Sequence, residues 1–438
     1  MFCAIAIFYS FTTRSLNNPN YNPFQFRFYP SKTNTLEDEN VNSVGASRSI
    51  KLNDTIKMPQ QPLQLHSLTS SQIHSQIALL TTNLVSITDK SGHFLLSLPD
   101  GRIIDTKGWN DWEWTHGIGL YGLYQYHSQT NSQETLKIIT SWFSARFKEG
   151  TTKNINTMSP FLTLAYLYEE TRDQTYIPWL DSWAEWAMYD LPRTRFGGMQ
   201  HITYLEENYN QLWDDTLMMT VMPLIKIGKI FNRQHYIEEG KRQFLIHIQY
   251  LFDTESGLFF HGWQFDKDAK GGLGHNFARA RWARGNSWLT IAIPDVLELL
   301  DLPKDDHFHV FLVDVLNAQC EALKKLQDPK TGLWRTLLDV SEEEGSYLES
   351  SASAGFAYGM LKGIRKRYLK KEEYENVAIK AIKGVLRNIR ADGELMDTSF
   401  GTGMGRDLKH YLDIERTSMP YGQAMAMMAL VELLRLFI

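Results

Sequence analysis

Two kinds of helical segment alternate along the chain from about residue 70 onward. Segments of the first kind are amphipathic, with charged residues along one side, and they lie near residues 70–89, 132–149, 175–190, 234–252, 306–327 and 371–390. Segments of the second kind are rich in Gly, Ala, Met and aromatic residues, and they lie near residues 115–127, 158–170, 214–231, 286–301, 351–368 and 419–437. A helix with a charged stripe faces solvent on that side, whereas a helix that is apolar nearly all round is buried. The pattern therefore predicts six outer and six inner helices in strict alternation.

A glycine turn with an extended stretch after it follows four of the outer segments. The turn glycines are Gly197, Gly257, Gly332 and Gly393. Glycine reaches positive φ without steric cost, so it can end a helix and turn the chain. Repeated units of outer helix, turn, loop and inner helix predict an all-α fold, an (α/α)6 barrel with six inner and six outer helices. An open α-solenoid is the alternative, but its repeats are usually shorter and more uniform.

The first 57 residues differ from the rest of the chain, because they are rich in Asn and Pro and show no helical period. The apolar stretch at 2–11 is short and follows no Lys or Arg, so it makes a poor secretory signal. We expect a disordered or mis-annotated leader over residues 1–57, with Met58 as the alternative start. We expect a single barrel catalytic domain over residues 58–438.

Composition excludes several classes of function. Lys and Arg number 45 against 50 Asp and Glu, a net charge of −5, whereas nucleic-acid binders usually show a basic face. The two cysteines, Cys3 and Cys320, form no CxxC or Cys/His cluster, so we expect no metal and no cofactor. No apolar run is long enough to span a bilayer. We expect a monomer or weak homo-oligomer in the cytoplasm, with secretion as the alternative.

The loops that enter the inner helices should converge on one rim of the barrel. These loops combine Trp with carboxylates, His and Arg, a mixture that suits sugars because indole rings stack on the apolar sugar face and polar groups bind the hydroxyls. The candidate carboxylates there are Asp111, Glu113, Asp214, Asp215 and Glu349. Neighbouring helical residues point about 100° apart, so at most one of the tandem aspartates faces the cleft. The residues alone indicate a carbohydrate-active enzyme and leave the choice of carboxylate open.

Separated motifs resemble one known family. They are QLWDDTLMM at 211–219, HGW at 261–263, RWARGNSW at 281–288, and ESSASA with FAYG within 349–359. In this order they resemble glycoside hydrolase family 105, the unsaturated rhamnogalacturonyl hydrolases, and the resemblance runs from about residue 70 to the C-terminus. It implies the (α/α)6 barrel that the helix pattern also predicts.

The resemblance also implies an unusual reaction on a 4,5-unsaturated uronic acid, the sugar that polysaccharide lyases leave at the non-reducing end of their products. One carboxyl group protonates C4 of the double bond and then accepts a proton from the water that adds at C5. The resulting hemiketal opens and releases the next sugar. Aligned on the family's Trp-x-Asp-x-Leu pattern, this acid and base is Asp215, and Asp214 is left as a helix cap. We expect burial to raise the pKa of Asp215.

Other site residues follow from the same alignment. The resemblance implies that His261 contacts the unsaturated sugar, that Trp282 and Trp288 line its subsite, and that Arg284 binds the substrate carboxylate bidentately. His201 matches an upstream histidine of the family. Asn156 stands where relatives carry a second carboxylate. The full set predicted to bind substrate is His201, His261, Trp282, Arg284, Trp288, Asn156 and the rim residue Trp114.

The implied activity is removal of the unsaturated sugar from pectin (rhamnogalacturonan) oligosaccharides, so the expected partner is an unsaturated oligosaccharide. Two alternatives stay open on the sequence alone. One is an unsaturated glucuronyl hydrolase that acts on glycosaminoglycan-type fragments with the same chemistry. The other is a sugar epimerase on the same barrel, which usually requires two catalytic histidines.

Overall fold

A computed structural model describes residues 64–268 and 272–437 of the chain. The expected leader at 1–57 lies outside these residues, and its boundary with the barrel domain at 58–438 stays a prediction. The described part contains thirteen α-helices: α1 Ser70–Ser86, α2 Trp114–Thr130, α3 Gln133–Glu149, α4 Pro160–Thr171, α5 Ile177–Glu185, α6 Met222–Ile230, α7 Gln234–Leu251, α8 Ala283–Leu300, α9 His307–Leu326, α10 Ser350–Arg365, α11 Lys371–Arg387, α12 Leu408–Leu412 and α13 Pro420–Leu434. None of these is both long and apolar enough to cross a membrane.

Burial separates the helices into the two predicted sets. The inner helices are α2, α4, α6, α8, α10 and α13, and every residue of α13 is buried. The outer helices α1, α3, α5, α7, α9 and α11 bury one face each. A turn of π-helix at Trp186–Asp190 extends α5, and another at Leu217–Val221 precedes α6. The predicted segments match these helices to within a few residues, and α12 is the one helix that the pattern did not predict.

The inner helices form a closed ring. Each packs against the next along the chain, and the last, α13, packs against the first, α2. Small residues permit the close approach: a Cβ built on Gly122 of α2 would lie 2.9 Å from the Cα of Ala424 in α13. Gly359 of α10 lies equally tightly against Thr290 of α8. Closure confirms the (α/α)6 barrel and excludes the open solenoid.

The four predicted glycine turns share one packing role. Their φ angles are +84° at Gly197, +75° at Gly257, +81° at Gly332 and +85° at Gly393. Each turn follows one outer helix and lies against the next one around the ring, since a Cβ on Gly257 would meet Ala318 of α9, and a Cβ on Gly393 would meet Leu79 of α1. Glycine therefore both turns the chain and lets adjacent outer helices sit close together.

Short antiparallel strand pairs lie in the loops. The described strands are β1 Gln64–Leu65, β2 Leu68–Thr69, β3 Leu95–Ser97, β4 Ile103–Asp105, β5 Gln211–Trp213, β6 Phe252–Asp253, β7 Leu258–Phe259, β8 Gly262–Gln264, β9 Trp334–Arg335, β10 Leu348–Glu349, β11 Thr398–Ser399 and β12 Arg416–Thr417. The pairs are β1–β2, β3–β4, β5–β8, β6–β7, β9–β10 and β11–β12. In the β5–β8 pair Trp213 lies opposite Gly262, which brings the tandem aspartates beside His261.

The C-terminal ends of the inner helices carry a buried ionic network. Lys362 of α10 lies 2.6 Å from both Asp295 and Glu298 of α8. Asp295 also accepts hydrogen bonds from Tyr121 and Tyr358 at 2.8 and 2.7 Å. Burial alone would raise the pKa of Glu298, but the charges around it, Lys362 first, lower it to about 2. The network supplies positive charge where helix dipoles place partial negative charge.

We expect Lys362→Met to lower the free energy of unfolding by about 3–5 kcal/mol, because it leaves the carboxylate of Asp295 buried without its cation. Urea unfolding followed by circular dichroism measures this loss. The matched control is Lys371→Met in α11, whose side chain is 61% exposed and should change stability by less than about 0.5 kcal/mol. Equal stability of the two variants would contradict a structural role for the network.

Candidate active site

Asp215 is held between two nitrogen donors at the start of the third inner segment. Its Oδ1 accepts a hydrogen bond from Trp288 Nε1 at 3.0 Å, and its Oδ2 from His261 Nε2 at 3.2 Å. The side chain of Asp215 is 16% exposed, whereas His261 is 1% exposed and Trp288 is fully buried. Asp215 is therefore the member of this cluster that a ligand can reach.

Asp214 is fully buried directly behind Asp215. Its carboxyl packs against Gly285 in the first turn of α8, where any Cβ would come within 2.3 Å of Oδ2. It accepts no hydrogen bond from the residues that the structure describes. Burial and the adjacent charge of Asp215 raise the pKa of Asp214 well above its ordinary value. Asp214 is therefore the carboxyl group of the pair that holds a proton more readily.

The pKa of Asp215 moves in the opposite direction to our expectation. Burial alone would raise it, but the hydrogen bond that His261 donates lowers it below its ordinary value. Two adjacent carboxyl groups cannot both ionise in a site with little water, so they share one proton. The raised pKa of Asp214 and the lowered pKa of Asp215 favour this proton on Asp214 and the negative charge on Asp215.

These three groups also match the geometry of a metal site. One ligand atom from each of Asp214, Asp215 and His261 lies within 4.8 Å of the others. Both oxygens of Asp215 already accept hydrogen bonds from N–H groups, and the raised pKa of Asp214 opposes the ionised form that a cation would bind. The donor set therefore fits a shared proton better than a divalent cation.

His201 is fixed away from direct contact with Asp215. Its ring stacks on Trp213 with centroids 4.1 Å apart and planes at 10°. Its Nδ1 lies 2.8 Å from the hydroxyl of Thr216. Burial lowers the pKa of His201 to about 3, so the ring is neutral at physiological pH. His201 supports the indole of Trp213, which lines the cavity.

Arg284 holds the loop at 399–400. It is 1% exposed, and its Nη1 donates to the carbonyl and hydroxyl oxygens of Ser399 while its Nη2 donates to the carbonyl of Phe400 at 2.9 Å. The guanidinium lies 4.2 Å from the Trp282 ring centroid. Its Nε has no hydrogen-bond partner among the described residues, and Nη2 keeps a second N–H, so the bidentate contact with a substrate carboxylate stays a prediction.

Glu349 supports the same loop. Its carboxylate accepts a hydrogen bond from the backbone N–H of Ser399 at 2.9 Å and from the hydroxyl of Ser351 at 2.6 Å. It also caps α10 through the N–H of Ala352. Among the candidate carboxylates, Glu349 is thus a structural group with its hydrogen bonds made inside the protein.

The two tryptophans of the RWARGNSW motif sit behind the site rather than on its surface. Trp282 is 1% exposed and lies against His261, with ring centroids 4.6 Å apart. Trp288 meets the ring of Trp114 edge-on, with centroids 5.9 Å apart. Trp288 therefore links Asp215 to Trp114, which does line the cavity.

A cavity of about 1070 Å³ opens at the N-terminal ends of the inner helices. Of the predicted site residues, Trp114 and Asn156 line it, together with Trp213 and two loops at 203–211 and 400–406. The second loop contains the glycine-rich run GTGMG at 401–405, the sequence signal that could have identified it. Arg406 is the one cationic side chain among the described lining residues.

Glu113 is a second carboxyl group in the cavity wall. Its Oε1 accepts a hydrogen bond from Asn156 Nδ2 at 3.1 Å, and its Oε2 accepts one from the backbone N–H of Trp114 at 2.5 Å. Burial raises the pKa of Glu113 to about 8. Asn156 thus binds the carboxyl group of Glu113, from the neighbouring helix, near the place where the family resemblance implies a second carboxylate.

The structural role of Arg284 can be tested by measuring the stability of a variant. We expect Arg284→Met to lower the free energy of unfolding by about 3 kcal/mol, because the carbonyl oxygens of Ser399 and Phe400 lose their buried donors. Urea unfolding measures the change, with Arg390→Met as the control, since the Arg390 side chain is 59% exposed. Unchanged stability with a raised KM would instead favour direct substrate binding by Arg284.

Comparison with known proteins gives consistent matches. The family model described as Glycosyl Hydrolase Family 88 matches residues 86–437. The unsaturated rhamnogalacturonyl hydrolase YesR of Bacillus subtilis is 30% identical over 329 residues, which cover 74% of this chain and 90% of YesR. A crystal structure from Salmonella enterica, described as a possible member of family GH105, is 59% identical with a TM-score of 0.82 and covers 87% of this chain and 98% of its own.

A second crystal structure with the same description, from Klebsiella pneumoniae, is 57% identical with a TM-score of 0.81, and the match covers 89% of this chain and all of the other. The resemblance that the motifs indicate is confirmed by these matches. The chain therefore belongs to glycosyl hydrolase family 88, with its relatives in family 105, and it is a glycosidase.

Proposed function

We propose that this glycosidase removes a 4,5-unsaturated uronic acid from the non-reducing end of lyase-generated rhamnogalacturonan oligosaccharides by hydration of the C4=C5 double bond. The observation that carries the proposal is the partly exposed carboxylate of Asp215, which lies next to the buried carboxyl of Asp214. A hydration needs one group that gives and then takes a proton, whereas direct hydrolysis at the anomeric carbon needs two separated carboxyl groups. The similarity to YesR supports the choice of substrate.

The shared proton supplies the acid. The approach of an anionic sugar raises the pKa of Asp215 by like-charge repulsion and by exclusion of water. The proton of the pair then moves from Asp214 to Asp215, and the nearby charge of Arg284 favours the ionised form of Asp214. Asp215 becomes the proton donor only when substrate is bound.

The steps balance around Asp215. The C4=C5 electron pair takes the proton of Asp215, and the ring oxygen stabilises the cation that forms at C5. A water molecule adds at C5 and gives its proton back to Asp215. The hemiketal that results opens, the bond to the next sugar breaks, and the carboxyl group is again protonated. No carboxyl group outside the pair of Asp214 and Asp215 takes part.

The cavity wall provides contacts for the sugar. Trp114 and Trp213 line the cavity, and indole rings are suited to stacking against a sugar ring. The neutral carboxyl of Glu113 and the amide of Asn156 can hydrogen-bond to hydroxyl groups. Arg406 is the one cation among the described lining residues, and we assign it to the negative charge of the oligosaccharide. The cytoplasmic location and the monomeric or weakly oligomeric state stay predictions.

The central test is Asp215→Asn. We expect a loss of turnover of at least about 100-fold, because the variant keeps the volume of the side chain and removes the group that transfers the proton. The measurement is the ultraviolet absorbance of the conjugated C=C–COO⁻ group of an unsaturated rhamnogalacturonan oligosaccharide, which hydration removes.

The matched control is Asp314→Asn, which changes an exposed residue of α9 and should leave the rate unchanged. A near-wild-type rate in Asp215→Asn would contradict the proposed role. Retention of the absorbance by the wild-type protein, with a change in sugar stereochemistry, would favour an epimerase. Faster turnover of glycosaminoglycan fragments would favour a glucuronyl hydrolase.

The pKa of Glu113 predicts a pH dependence. Below about pH 8 this carboxyl group is neutral and can donate to the sugar, and above about pH 8 it becomes an anion that repels the anionic substrate. We therefore expect KM of the wild-type protein to rise as pH increases from 7 to 9, and we expect Glu113→Gln to abolish that rise. The same rise in both proteins would show that another group titrates.

A further inference from the structure

Helix α12 stands outside the six inner and six outer helices. It has five residues, begins after the cap Asp407, and brings one large side chain, Tyr411, into the protein with 1% exposure. Tyr411 packs with Ala280, Trp282 and Leu337 in a small apolar cluster separate from the barrel core. This cluster lies directly behind His261, because Trp282 contacts the imidazole ring.

The hydroxyl of Tyr411 joins two parts of the site. It accepts a hydrogen bond from the backbone N–H of Gly405 at 2.9 Å, and it lies 2.8 Å from His261 Nδ1. Because the oxygen already accepts from Gly405, its own proton is free to be donated to Nδ1. The proton of a neutral His261 then resides on Nε2, which faces Asp215 at 3.2 Å.

We propose that Tyr411 is a positioning residue for the hydration reaction: its hydroxyl holds His261 in the Nε2–H tautomer that donates to Asp215. It thereby connects the loop at 401–405, which lines the cavity, to the group that transfers the proton. The catalytic consequence of this role rests on the proposed function, whereas the tautomer of His261 can be measured without it.

Further contacts make the connection specific. His410, the neighbour of Tyr411 in α12, lies 2.6 Å from the hydroxyl of Thr402 and 3.2 Å from the carbonyl of Gly403. Loop 401–405 is thus attached to α12 by both residues. A role in packing alone would need the ring of Tyr411 but not its hydroxyl, which makes the hydroxyl the feature to test.

The environment of the relay contains several other charged or titratable groups. Those that act on Asp214, Asp215 or Tyr411 are His201, His261 and Arg284. The reaction needs one proton on the aspartate pair, so the basic limb of the pH profile of kcat/KM reports the loss of that proton. Loss of the donor from His261 weakens the interaction that stabilises the anion of Asp215, so the pair should keep its proton to higher pH and the limb should move to higher pH.

The test is Tyr411→Phe, which keeps the ring and removes the hydroxyl. We expect kcat to fall about 10-fold with little change in KM, a smaller loss than the ~100-fold to ~10,000-fold contribution of a general acid or base itself. We also expect the basic limb of kcat/KM to move to higher pH. Nitrogen-15 NMR of the histidines should show His261 as the Nε2–H tautomer in the wild type and as a mixture in the variant.

The matched control is Tyr347→Phe, because the hydroxyl of Tyr347 is buried without a hydrogen-bond partner among the described residues. Wild-type kcat, pH profile and tautomer in Tyr411→Phe would overturn the proposal. If Tyr411→Phe does not fold, the nitrogen-15 spectrum of the wild type still tests the proposal. A proton on Nδ1 of His261 in that spectrum would also overturn the proposal. If the wild type does not consume the unsaturated sugar, the proposed function fails, whereas the tautomer measurement still tests Tyr411.

Discussion

Two adjacent carboxyl groups placed where little water reaches them cannot both carry a charge, and the active site is arranged around this constraint. Gly285 leaves room for the carboxyl of Asp214, which would otherwise meet a Cβ at the start of α8. His261 and Trp288 donate to Asp215 and keep the charge there. Because two neighbouring aspartates share one proton, the pair forms a single reaction centre that can act as a base or as an acid.

Much of the fold could be predicted from the chain alone, because both of its determinants are local. Burial on all sides distinguishes inner helices such as α13, and a glycine with positive φ such as Gly257 marks the end of an outer unit. Periodicity carries no information about a five-residue helix, so α12 was missed. Ring closure between α2 and α13 joins positions about 300 residues apart, and the count of units rather than any local pattern predicted it.

The site was less predictable than the fold, for a physical reason. Residue type indicated that Arg284 could bind a carboxylate, but its hydrogen bonds to Ser399 and Phe400 depend on a loop more than 100 residues away. The pKa of Asp215 likewise depends on His261, which lies 46 positions further along the chain. Glu113 and Asn156 lie 43 positions apart, and only the three-dimensional arrangement shows that they form one hydrogen-bonded pair.

The two ends of the inner ring are electrically different. At one end the helix C-termini meet Lys362, whose charge Asp295 and Glu298 balance. At the other end the helix N-termini surround the cavity, and its described lining carries three glutamates against one cation, Arg406. In a protein of net charge −5, long-range charge therefore gives an acidic oligosaccharide little attraction, so contacts made inside the cavity must supply the binding.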